Sequence, residues 1–101
     1  AERVEAEQRR TLVAVFLEDH NFKSVGGPKR SMMRTSYPLH HAVRDGNAQM
    51  VEMLLKEGAD PAQRDSSGRT AAQLAQRGKA DSRDKMLRAL NGEFLPTIRG
   101  T

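Results

Sequence analysis

Cysteine and tryptophan are absent from this chain, tyrosine occurs once, and aromatics make up only 4% of the residues. Without cysteine there is no disulfide framework, no thiolate metal site and no cysteine nucleophile; the lack agrees with a reducing compartment, cytoplasm or organelle interior. So few aromatics exclude a broad base-stacking surface. Long apolar runs are missing as well. The longest, residues 12–17, falls far short of the ~20 residues a membrane span needs. No initiator methionine precedes Ala1-Glu2-Arg3, so the expectation is a processed chain or part of a longer one.

What is present amounts to 101 residues, one domain's worth near the lower end of what buries a useful core unaided. Seventeen bases against thirteen acids give a formal charge of +4, and their distribution is uneven. Residues 1–24 are net −1, 25–36 net +3, 37–65 net −2 and 66–101 net +4. Interspersed acids make this ordinary solubility chemistry, so nucleic acid is not the expected partner.

Residues 1–20 predict a helix: Gly and Pro are missing, Glu5 and Arg9 form an i,i+4 pair, and Leu12, Val13, Phe16 and Leu17 make one apolar stripe. Val15 lies off that stripe, and Asn21 is the predicted stop. Glu2, Glu5, Glu7, Glu18 and Asp19 exclude a membrane-surface helix. Residues 25–36 read as a basic Gly/Pro loop. Beyond it the periodicity predicts four short helices, 38–45, 48–57, 71–77 and 81–90, punctuated by Gly46, Gly58, Gly78 and Asn91-Gly92. Thr70 is the predicted N-cap of the third. Residues 93–101 read as an extended tail carrying Phe94, Leu95 and Ile98.

The helix–Gly–helix–Gly pattern occurs twice. First helices recur at about 33 residues and second helices at about 35, with residues 78–82 lengthening the inner turn by two. Such a pair has one apolar side and cannot bury it alone. Tyr37-Pro38-Leu39-His40-His41-Ala42 resembles the Thr-Pro-Leu-His-x-Ala opening of an ankyrin repeat. Val51-x-x-Leu54-Leu55-x-x-Gly58-Ala59-Asp60, then Asp65-x-x-Gly68-x-Thr70, resembles its second helix and the turn into the next unit. The resemblance implies an all-α fold: a short helical solenoid of about two repeats over 37–92. Residues 1–24 are then an N-terminal capping helix, placed by the echo of Val51-x-x-Leu54-Leu55 in Val13-x-x-Phe16-Leu17.

The departures from the family pattern are specific. Tyr37 replaces the threonine whose hydroxyl would cap the helix and meet His40, leaving Ser36 or Thr35 as the substitutes. Gln73 replaces histidine in the second unit, and Ala62 replaces the usual asparagine. Arg88 stands where a strict 33-residue period would want an apolar side chain; the two-residue insertion puts Ala89 and Leu90 there instead.

The histidines are the first candidates for chemistry. His40 and His41 are adjacent, so on a helix they point about 100° apart and do not chelate as a pair. His20 is far off in sequence, and His40 is expected to bond the neighbouring turn. Residues 26–31 lack the spacing of a phosphate-cradling loop. No catalytic, cofactor-binding or metal-ligating residue is therefore expected, and no cofactor.

The resemblance implies instead a non-enzymatic protein–protein interaction module, an adaptor or an accessory subunit of a hetero-complex such as an organellar photosystem or ribosome. Its partner is a protein, with an acidic surface matching the basic zones. Family contacts use turn tips and the inner faces of first helices. Carried over, these are Met33, Arg34 and Ser36 in the first turn, Ser66, Ser67 and Arg69 in the second, and Arg44, Asp45 and Arg77 on the helices. Phe94, Leu95 and Ile98 of the tail are a second candidate contact. The competing reading is a basic nucleic-acid or ribonucleoprotein-associated module. Two units and a cap fall short of the three or more that stacks generally need, which predicts marginal stability alone.

Overall fold

A computed structural model describes residues 2–31, 34–78 and 80–92. Helix α1 (Glu2–Asp19) is followed by strands β1 (Lys29–Ser31) and β2 (Arg34–Ser36). Helices α2 (Pro38–Arg44), α3 (Ala48–Lys56), α4 (Ala71–Ala75) and α5 (Ala80–Leu90) complete the order. The structure is thus a short helical stack with one small strand pair added.

α1 runs unbroken until Asn21 takes a left-handed φ of 62°. The Asn21 N–H then donates to the Glu18 carbonyl at 3.2 Å and the Phe22 N–H to the Leu17 carbonyl at 2.8 Å. This reversal satisfies two of the carbonyls that a helix end leaves open and buries Phe22 beneath it. α3 ends the same way: Gly58, at φ 103°, donates to Leu55, and Ala59 donates to Leu54. The predicted stop at Asn21 is thus visible in how α1 ends, but the two ends match Asn21 with Gly58, one residue out of step with the echo, which would align Gly58 with His20.

The stretch read as a loop behaves differently. Within it β1 and β2 pair antiparallel, Lys29 opposite Ser36, Arg30 opposite Thr35 and Ser31 opposite Arg34. Polar, non-alternating sequence carries no strand signal, because this ladder is held by backbone pairing and not by burial of one face.

Four helices pack as pairs. α2 lies against α3 and α4, and α5 against α3 and α4, while α1 packs on α3. Small side chains permit the close approach: Ala42, Ala71 and Ala75 are fully buried at the junctions. Leu39, Val43, Met50, Val51, Leu54, Ala59, Met86 and Ala89 complete a single core, to which α1 adds Val13 and Phe16. Ala89 is buried, Leu90 packs against the core and Arg88 is exposed, as the two-residue insertion requires. α4, with five residues, is too short to persist in isolation. Its first turn is closed by a capping box in which Thr70 accepts from the Gln73 N–H and Gln73 accepts from the Thr70 N–H.

Two expectations need correction. Leu12 is 48% exposed and does not belong to the buried stripe. α1 meets the stack along Arg9, Val13, Phe16, Leu17 and His20, which leaves Leu12 about 90° round the helix from the centre of that line. The cap on α2 is also missing. Tyr37 makes no side-chain cap bond, and Ser36 Oγ, which was to replace the lost hydroxyl, is buried with no hydrogen-bond partner among the described residues.

Candidate protein-binding face

The turn at residues 60–70 is built around Asp65, whose side chain is only 2% exposed. One carboxylate oxygen accepts from the Ser67 N–H at 2.9 Å and the Arg69 N–H at 3.0 Å; the other lies 3.4 Å from the Arg44 guanidinium. Burial by itself would push this carboxyl up. The two amides, joined by His40 and Arg44, outweigh burial and hold it below its ordinary value. The Gly68 N–H donates to the Asp65 carbonyl at 2.8 Å, and Gly68 closes the turn at φ 77°, a conformation side chains disfavour. Asp60 performs a smaller version of the same task, accepting from the Ala62 N–H at 2.9 Å.

His40 ties this turn to the first unit. Its Nε2 lies 2.7 Å from the Arg69 carbonyl oxygen, which can only accept, so Nε2 carries the proton. Nδ1 is buried with no partner among the described residues. A backbone bond completes the tie: the Ser66 N–H donates to the Thr35 carbonyl of β2 at 3.2 Å. The edge of the hairpin and the tip of the second turn are therefore neighbours.

Around that junction the structure gathers four of the expected contact residues. Arg34, Ser66 and Ser67 are exposed, and Arg44 is half exposed above Asp65. Arg69 is half-buried and contributes its backbone to the turn. Ser36 is poorly placed for contact because its hydroxyl is turned inward. Arg77 is exposed, and no described contact joins it to the junction. Met33, Phe94, Leu95 and Ile98 lie outside the described residues. Of the first basic zone, Arg30 and Arg34 are exposed, but the Lys29 ammonium donates to the His20 carbonyl at 3.0 Å, closing the C-terminal end of α1.

Asp45 sits elsewhere, in a cluster that sequence reasoning missed. His41 points away from His40 and toward α1, where its ring lies 4.0 Å from that of His20, centre to centre. Phe16 and Phe22 flank it at 5.9 and 6.0 Å, and His41 Nε2 is 3.6 Å from the Asp45 carboxylate. Burial first, then the neighbouring His20, hold His41 below its ordinary value, with Asp45 opposing. Only the docking of α1 brings His20 here, so the sole signal in the chain was the His41-x-x-x-Asp45 spacing.

α1 is fixed by a half-buried ion pair between Arg9 and Glu57, and the Gln63 side chain bonds the Gly26 carbonyl at 3.1 Å. Its far side exposes Val4, Leu12 and Val15, with a shallow groove bounded by Val4, Glu7, Gln8, Thr11 and Leu12. Among the described residues no helix is long and apolar enough to cross a membrane.

Helix pairs stacked side by side, with turns projecting from one edge, define a helical repeat protein. Comparison points to the particular family: residues 27–75, just under half of the chain, match the model for ankyrin repeats (many copies). Ankyrin repeats are protein–protein interaction modules and are typically non-enzymatic. Among curated proteins, the chain is 40% identical over 60 residues to a tRNA endonuclease, vms1, of Schizosaccharomyces pombe, covering 59% of this chain and 10% of that one. It is 38% identical over 64 residues to the potassium channel AKT1 of Oryza sativa, in both the indica and japonica subspecies, covering 63% of this chain and 7% of the channel. The chain thus spans a tenth or less of the length of these relatives. No solved structure matches it.

Proposed function

We propose that this chain is a non-enzymatic adaptor or accessory module that binds a protein through the face formed by its two adjacent turns. The reading rests chiefly on the Ser66–Thr35 backbone bond, which sets Arg34, Ser66 and Ser67 side by side with Arg44 next to them. Backbone holds the frame while Arg34, Ser66 and Ser67 present exposed side chains, the division of labour a recognition surface needs. Exposed Arg30 and Arg34 favour a partner with an acidic patch. The relatives support a transferable module. A protein named as a tRNA endonuclease and one named as a potassium channel share little by name, yet each aligns with this chain over 60–64 residues.

The test is a photo-crosslinking residue placed at Ser67 and, separately, at exposed Gln49 of α3. The expected result is one discrete protein adduct from Ser67, lost on Arg34→Glu, and none from Gln49. Equal adducts from both positions would refute the assigned face. The nucleic-acid reading predicts heparin binding that disappears at moderate salt, as counterion release demands; an adduct insensitive to salt opposes it.

A further inference from the structure

Three side chains from two parts of the chain converge where α1 meets the first helix pair. His20 stands just beyond the last residue of α1, His41 lies within α2, and Asp45 is the residue that caps α2. One ligand atom from each lies within 4.8 Å of the other two. The imidazoles are half-buried and stacked at a 43° tilt, walled by Phe16 and Phe22, while the Asp45 side chain is 48% exposed on the open side.

We propose that His20, His41 and Asp45 bind a divalent transition ion of the zinc class, with water completing its shell, and that the ion clamps α1 to the first repeat. Two imidazole nitrogens and one carboxylate oxygen form the donor set of open zinc sites. Imidazole donors select such ions over magnesium or calcium, which prefer all-oxygen shells. Bonds of ~2.0–2.2 Å need the three atoms to draw closer together. The exposed Asp45 carboxylate, on the last turn of its helix, has room to make that movement. His40 takes no part, because its Nε2 is committed to the Arg69 carbonyl. The nearby cations set a limit. The Lys29 ammonium lies 5.5 Å from the centre of the Phe22 ring and opposes the ion's charge, whereas Arg44 faces Asp65. Affinity is therefore below that of a closed four-ligand site.

A tag-free chain titrated with Co²⁺, then Zn²⁺, tests this. The expected result is one equivalent of Co²⁺ with visible d–d absorption, displaced by Zn²⁺. Excess Zn²⁺ raises Tm by about 5 °C and slows amide exchange in α1, whereas Mg²⁺ does neither. His20→Ala and Asp45→Asn each weaken binding by at least about tenfold and abolish the Zn²⁺-dependent rise. Asp45→Asn changes only an exposed cap residue, so its fold is secure even if His20→Ala loosens α1. Absence of Co²⁺ absorption, equal effects of Mg²⁺ and Zn²⁺, or binding unchanged in both variants would overturn the site.

Discussion

The helices that open the two repeats begin in opposite ways. α4 starts on a local device: Thr70 and Gln73 exchange side-chain bonds with each other's backbone. α2 starts on Tyr37, which supplies no cap bond, and relies on Pro38, whose missing N–H costs nothing in a first turn, and on the reach of His40 across to Arg69. One unit carries its own start signal; the other borrows stability from its neighbour's turn. In a stack so short, that asymmetry makes the turn at 60–70 the hub on which both units depend.

Removing the hub should have the largest effect. Asp65→Ala strips two amides and Arg44 of their shared acceptor, and we expect a loss of about 3 kcal/mol, measured by urea unfolding. His40→Ala should cost about 2 kcal/mol by losing the Arg69 bond and its packing. Combined with Asp65→Ala, its loss should be less than additive, since both act through the same turn. Additive losses would mean that the two units do not share a hub.

Thr70→Ala should cost about 1 kcal/mol. Tyr37→Thr tests the same difference from the other side: a hydroxyl able to cap α2 and meet the unpartnered His40 Nδ1 should stabilise by up to about 1 kcal/mol. If it destabilises instead, the Tyr37 ring, 5.5 Å from that of His40, matters more than the missing cap.

The smallest effect is on pH dependence. Asp65 is held below its ordinary value when folded, so its stabilisation is in full force above the unfolded carboxylate pKa of about 4 and fades as pH falls through the folded value. Thermal melts of Asp65→Asn should therefore show a shallower acid decline than the wild type. Parallel declines would assign the acid sensitivity to other carboxylates.

Much of this architecture could be read in advance because helices announce themselves locally. Met50, Val51 and Leu54 recur at helical spacing, and Asn21, Gly58 and Gly92 take the positive φ that ends a helix. Asp65 was legible for the same reason, as its two backbone partners lie within four residues. The hairpin was not, because Lys29, Arg30, Thr35 and Ser36 are held by backbone pairing and leave no alternation. His20 against His41 was equally hidden: twenty-one positions separate them, and only the packing of α1 closes the gap. Leu12 was misjudged since a helix laid along the end of a stack buries a narrower strip than its apolar residues suggest.

The link from the Ser66 amide to the Thr35 carbonyl has a consequence for how such a chain can diverge. The join involves no side chain, so the letters at positions 34, 66 and 67 can be rewritten without moving the rail on which they are mounted. Specificity for a new partner can then be acquired by point changes at the rim, with folding left untouched.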